Sequence, residues 1–426
     1  MKKLKVILIG AGHRGTHYTN LMGDMPEKFE VVGIAEKVAT RREYVKEKHN
    51  IPDENTYESW EQILEREKFA DVAVIATMDR MHFEPAMKAM ELGYDLLLEK
   101  PVCPTPEECV ALYKKSKECG VKAVVCHVLR YTTFFKKMKE CIDSGMVGDV
   151  VSVEHLEAVG NVHQSHSFVR GNWGNSTKSS FMMLQKSCHD LDILQWLLGK
   201  ECKKISSFGS LKHFKRENAP EGSPEYCMDS CPVADTCYYN AMKLYYEDKD
   251  NAWFRSNVVK KVNPTDEEVL KGLRETQYGK CVYKCNNDVV DHQVVNMEFE
   301  DGITVSFTMC AFNKGGRRIH IMGTKGEITA AMKEDTFEFY DFASGETKRL
   351  NISQEILGDS IVSGHGGGDQ GVINALYDYL TDKITADDVS EIGVSAKNHM
   401  LAFAAEEARL GCKVVDMEEF CQRYYK

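Results

Sequence analysis

The chain has 426 residues, enough for two or three domains that each bury a core of their own. Its 43% hydrophobic and 28% charged residues are ordinary for a globular protein. The 54 Lys and Arg against 65 Asp and Glu leave a charge of −11, a surface that repels polyphosphate and excludes general nucleic-acid binding.

In chain order, the opening MKKLKVILIG sets a basic start before an apolar run of about five residues, too short for a secretory core. No later stretch approaches the roughly 18 apolar residues of a membrane span. The expectation is a cytoplasmic protein, with no membrane partner and with its fifteen cysteines reduced.

Residues 5–9 read as a buried strand that turns through Gly10-Ala11-Gly12-His13-Arg14-Gly15, a G-x-G-x-x-G at a strand–helix junction. The first glycine permits the tight turn, the second lets a pyrophosphate approach the backbone, and the third lets the next helix pack closely. His13 and Arg14 lie in that phosphate turn, at a helix N-terminus that attracts anions. Residues 29–35 form a second strand ending in Glu36, 21 residues after Gly15. An acid there accepts from ribose hydroxyls and repels a 2′-phosphate, so NAD is favoured over NADP. Arg41 and Arg42 nearby weigh the other way.

The alternation continues with strands at 71–77, 95–98 and 121–126 and helices at 82–92 and 106–119. Strand–helix alternation implies a doubly wound parallel sheet, which binds ligands beyond the carboxyl ends of its strands. Thr77, His82 and the run Glu99-Lys100-Pro101 sit at such ends, though His82 can equally be a mere helix-start residue.

Farther on, residues 163–173 read HQSHSFVRGNW, in which His163 and Arg170 suit a sugar site or a structural loop. Helical spacing runs over 181–198. It puts Leu184, Cys188 and Leu191 on an apolar stripe beside Gln185, His189 and Asp192, with Lys186 and Asp190 adjacent. Polar groups this dense in an apolar helix must be paired or line a cleft. His189 then suits proton exchange, Asp192 the orienting of its ring, and Lys186 a substrate oxygen. Between about 212 and 291, Cys227-x3-Cys231-x5-Cys237 and Cys281-x3-Cys285 have spacings that suit either a structural zinc set (Cys227, Cys231, Cys237, Cys281) or reduced packing cysteines. Near the end, His365 lies on a glycine-rich loop that either reaches the pocket or merely connects. Asp369 suits the N-cap of a helix over 370–380.

The glycine turn, the Glu99-Lys100-Pro101 run and SCHDLDILQWLLG (187–199), with CHVLRY (126–131), IDSGMVGDVVSVE (142–154) and FEDGITVSFTM (299–309), together resemble the glucose–fructose oxidoreductase, inositol dehydrogenase and MocA family. The resemblance spans nearly the whole chain except the stretch from Lys212 onward. It implies a dinucleotide domain at 1–126. An α+β domain built on a large, mostly antiparallel sheet would follow at 127–426, with the cysteine-rich segment as an insertion. It further implies that Lys100 and His189 flank a nicotinamide, that the Lys100–Pro101 bond is cis, and that the outer sheet face forms homodimers or homotetramers. A nicotinium charge about 5 Å from the Lys100 ammonium, at an effective dielectric near 20, would favour proton release from it by roughly 3 kcal/mol.

Well-known relatives often carry Asp four residues before the histidine, where this chain has Gln185, and an amide relays no proton. The expected activity is therefore NAD-dependent oxidation of a secondary hydroxyl on a sugar, glycoside or cyclitol. A glycosidase that oxidises its sugar transiently with tightly held NAD, and a non-catalytic NAD-binding sensor, stand beside it.

Overall fold

The structure, a computed structural model, describes residues 2–334, 336–351 and 367–426. Its first sheet has six parallel strands, β1 (Leu4–Ile9), β2 (Phe29–Ala35), β3 (Thr56–Tyr57), β4 (Val72–Ile75), β5 (Asp95–Leu98) and β6 (Ala123–Val125), in the order β3-β2-β1-β4-β5-β6. Strands such as VAVI and LKVILI are buried on both faces, as a sheet covered by helices on either side requires. The order reverses between β1 and β4, and this places a crevice at their carboxyl ends.

The second sheet has nine strands: β7 (Val150–Ala158), β8 (Cys202–Ser210), β9 (His292–Phe299), β10 (Thr304–Cys310), β11 (Gly316–Gly323), β12 (Gly326–Ala331), β13 (Thr336–Asp341), β14 (Glu346–Asn351) and β15 (Val415–Asp416). All pairings are antiparallel except β7 with β10. Along β10, Val305, Phe307 and Met309 point into the core while Thr304 and Ser306 face outward, the period-2 pattern of a half-covered sheet. The protein thus joins a doubly wound α/β unit to a mostly antiparallel α+β unit.

Strands β8 and β9 are direct neighbours, and residues 211–291 leave the sheet between them. That excursion includes helices Ala252–Val259 and Asp266–Glu275 and has its own apolar centre of Tyr245, Phe254, Val258, Val269 and Leu273. After β14 the chain returns to the parallel sheet. Val372, Ile373, Leu376 and Tyr377 of helix Gly368–Leu380 pack in one cluster with Leu4, Val6 and Leu8, and the Tyr377 hydroxyl donates to the Lys2 carbonyl at 2.9 Å. Residues well beyond 126 therefore help to close the core of the first sheet.

Two local expectations are corrected. The helix expected over 181–198 is two helices, Met182–Gln185 and Cys188–Leu198, broken at Lys186 and Ser187. Asp369 is not an N-cap: Gly367 holds that position, and the Asp369 carboxylate is drawn instead to Arg14 and His17. Among the described residues, no helix is long and apolar enough to cross a membrane.

Candidate active site

The glycine turn is shaped from both sides. Gly10 has φ +91°, and a β-carbon there would stand 2.8 Å from the Ala76 carbonyl. At Gly12 a β-carbon would meet no described atom within 4 Å, so this face of the turn is open. The helix His13–Gly23 starts there with no side-chain cap among the described residues, leaving its first amides for an anion. Gly15 closes against the Gly10 carbonyl and Leu8. Glu36 is buried and accepts from the Ala11 amide at 2.7 Å and the Val38 amide at 2.8 Å, which locks the ends of β1 and β2 together. Each oxygen keeps lone-pair capacity for a ribose hydroxyl. An open glycine face, uncapped amides and a fixed acid fit an adenine dinucleotide.

Arg14 departs from the phosphate role expected of it. Its guanidinium donates to Glu99 at 3.0 Å, to the Tyr18 hydroxyl at 2.6 Å and to Asp369 at 2.5 Å, so it ties the turn to the strand β5 exit and to the returning helix. His13 stays exposed, its ring stacked 6.3 Å from His17.

The run Glu99-Lys100-Pro101-Val102 is held atom by atom. Glu99 accepts from the Lys100 amide at 2.8 Å, and His82 contacts the Pro101 carbonyl at 2.8 Å and the Thr77 carbonyl at 3.1 Å. His399, on helix Ile392–Gly411, accepts from the Val102 amide at 3.0 Å and donates to the Ser395 carbonyl at 2.7 Å, which fixes its tautomer. The Lys100–Pro101 bond is cis. Burial opposes charge on Glu99, but Arg14, Lys100 and the Tyr18 hydroxyl more than offset it and hold the carboxyl below its usual range. His82 is buried and serves as a brace between two loops, and the Thr77 hydroxyl turns back to the Met81 carbonyl at 2.9 Å.

The break in the helix now has a role. It frees the Gln185 carbonyl, and the Lys100 ammonium donates to it at 2.9 Å. This brings Lys100 to the start of the helix that carries His189, whose ring packs 5.6 Å from His127. His127 has no hydrogen-bond partner for either ring nitrogen among the described residues, and burial brings it down to about 4. Lys186 pairs with Glu157 at 3.1 Å. Arg317 bridges Glu157 at 2.7 Å to Asp190 at 2.8 Å, and Asp190 also meets His155 at 2.9 Å. Burial first, then the positive field of Lys186 and, more weakly, of His166 and Lys100, keeps the His163 imidazole neutral.

Asp192, expected to orient His189, has strong partners elsewhere. It is fully buried and taken by Arg130, with two contacts of 2.7 Å, and by Asn398 at 2.7 Å. Arg170 likewise leaves the cleft: its Nε donates to the Lys280 carbonyl at 2.9 Å and its Nη2 to the Tyr239 carbonyl at 2.7 Å, anchoring the excursion 211–291. Cys227, Cys231, Cys237 and Cys281 line one small cavity there. Among the described residues, however, no group of three or more His, Cys, Asp or Glu can hold a metal, which corrects the zinc expectation. The Arg170 guanidinium, 3.6 Å from the Cys227 sulfur, sets a cation beside the cluster and disfavours a second one there. His365 lies outside the described residues.

Sequence reasoning missed His399, His127 and Arg317. A polar residue inside an apolar helix marks His399, but its partner Val102 is 297 positions away and leaves no local trace.

Comparison with known proteins matches residues 4–127 to a model described as an oxidoreductase family, NAD-binding Rossmann fold, and residues 139–355 to the C-terminal alpha/beta domain of the same family. The protein YteT of Bacillus subtilis is 24% identical over 385 residues, 84% of each chain. Inositol 2-dehydrogenase of Salmonella typhimurium is 22% identical over 206 residues, 48% of this chain and 57% of that one. A solved levoglucosan dehydrogenase, in complex with NADH and levoglucosan, superposes with a TM-score of 0.72 at 16% identity over 98% of this chain and 100% of the other, a likeness of fold.

Proposed function

The chain belongs to the Gfo/Idh/MocA oxidoreductase family, and from that premise we propose that it is an NAD-dependent dehydrogenase acting on a secondary hydroxyl of a sugar, glycoside or cyclitol. The observation that carries this reading is the anchoring of Lys100. Its backbone is fixed by Glu99, His82 and His399, and its ammonium spends one hydrogen on the Gln185 carbonyl, keeping two for a substrate oxygen. When bound at the glycine turn, NAD supplies the hydride acceptor.

As the neutral amine, the form that a nicotinium charge nearby would favour, Lys100 takes the hydroxyl proton and becomes the ammonium, and His189 at the head of its helix is the second proton site. The Gln185 side chain can orient a hydroxyl but takes up no proton. Lys186, steadied by Glu157, and neutral His163 bind further oxygens. Glu36 selects NAD over NADP, and the outward face of the nine-stranded sheet, with Phe208 68% exposed, carries the homodimer or homotetramer contact.

A thermal-shift screen of sugars and cyclitols with NAD present, followed by turnover of each hit, tests the reading. Accumulating reduced nicotinamide supports it. Release of an aglycone without that accumulation favours the transient-oxidation glycosidase, to which Gln185 also points. Full function in Lys100→Ala leaves the sensor.

A further inference from the structure

The excursion 211–291 reaches the nucleotide turn and residues 161–170. Helix Ala252–Val259 begins at Asn251, whose side chain accepts from the Phe254 amide at 3.2 Å, and this sets Trp253 in the first turn. Arg255 locks the helix, donating to the Tyr245 carbonyl at 3.1 Å and to Asp266 at 2.6 Å. The Trp253 ring centre lies 4.8 Å from His166, 5.7 Å from His163 and 6.3 Å from His13. Its backing is rigid: His166 stacks 4.0 Å on Phe254, and its two nitrogens meet the Tyr245 hydroxyl and Asn257, both at 3.1 Å.

A tryptophan that only filled the core of the excursion would touch that core alone. Trp253 is half-buried and meets three units at once: its own helix, the nucleotide turn through His13, and residues 161–170 through His163, which stands in the field of Lys186 and Lys100. A pyranose or cyclitol presents an apolar C–H face ringed by hydroxyls. An immobilised indole beside a neutral imidazole and an ammonium offers the matching pair, apolar area for the face and donors for the rim.

We infer that the excursion is a wall of the active site and that Trp253 is its specificity-determining residue, covering the C–H face of the sugar or cyclitol ring held at Lys100. This rests on the dehydrogenase reading above. Because Trp253 is fixed before binding, little of its contact is lost to ordering.

The experiment uses the full chain. NAD affinity by calorimetry comes first, since a wild-type protein that binds no dinucleotide sinks the dehydrogenase reading by itself. With the best sugar hit, Trp253→Ala should raise KM about tenfold, with NAD affinity and kcat within about threefold of wild type and Trp253→Phe recovering most of the loss. An unchanged KM, or a fall in kcat alone, overturns the inference while leaving the dehydrogenase standing. A second variant reads contact without catalysis: with Trp60, Trp173 and Trp196 changed to Phe, the remaining indole emission should shift on adding the sugar, and emission unmoved at saturating sugar overturns it as well.

Discussion

Two regions of this protein are dense in residues that suggest chemistry, and they end differently. At the exit of β5, His82 and His399 from two distant elements and Glu99 from within the run each take one backbone group of residues 99–102, and the Lys100 ammonium spends only one hydrogen, on the Gln185 carbonyl. In the excursion, four cysteines gather around a buried arginine whose guanidinium is spent on carbonyls and a sulfur. Residue types alone do not separate the two. What separates them is whether the fold holds a group toward open space or uses it up as a joint.

The sharpest way to break this contrast is Lys100→Met. It should lower kcat by about 10³-fold, the scale of a lost general acid–base group, while calorimetric NAD affinity changes little; comparable kcat would remove the site from β5. Next in size is Glu99→Ala, which strands Arg14 without one of its carboxylates. Losing one partner of such a buried pair costs about 3–5 kcal/mol, read as a lower urea midpoint with unchanged slope.

Acid sharpens the comparison, since a buried neutral histidine packs against each region. Burial holds His399 at about 3 near β5 and His166, stacked on Phe254 of the excursion, at about 3. The unfolded chain protonates such groups near pH 6.5, so it binds more protons than the folded one between there and their folded values. Stability is therefore full above about pH 6.5 and falls as the pH drops through the window beneath it. Each histidine contributes on the order of a few kcal/mol at the lower end. His166→Phe should flatten the urea-midpoint slope by one histidine's share and leave that of His399; a slope steeper than wild type would refute the assignment. The smallest effect belongs to Cys227→Ser. Its melting temperature should be insensitive to chelator, with a change within about 1 kcal/mol, whereas a chelator-sensitive wild-type melt would restore a metal to the cluster.

Much of this architecture was readable beforehand where the cause is local. Continuous apolar runs marked the parallel strands, and helix Pro106–Cys119 began and ended where Thr105 and Gly120 cap it. The glycine spacing marked the turn. The unread parts depend on contacts far apart in sequence. Arg14 looked like a phosphate ligand because its partner Asp369 lies 355 residues on. The break at Lys186 was invisible to periodicity, since 181–198 contains neither Gly nor Pro. It exists because an ammonium from another unit satisfies the Gln185 carbonyl that the break exposes. The pairing of Asp192 went unread for the same reason: Arg130 approaches from outside the helix.

The return of helix Gly368–Leu380 to the first sheet has a bearing on biosynthesis. A ribosome makes β1 and its glycine turn long before Val372, Ile373, Leu376 and Tyr377, which share a cluster with Leu4, Val6 and Leu8, and before Asp369, one of the two carboxylates on Arg14. Domains usually fold as they emerge, amino end first. Here the nascent nucleotide pocket must wait, partly clothed, for a helix made much later. A stop codon just ahead of Gly368 would therefore uncover a sheet completed long before it.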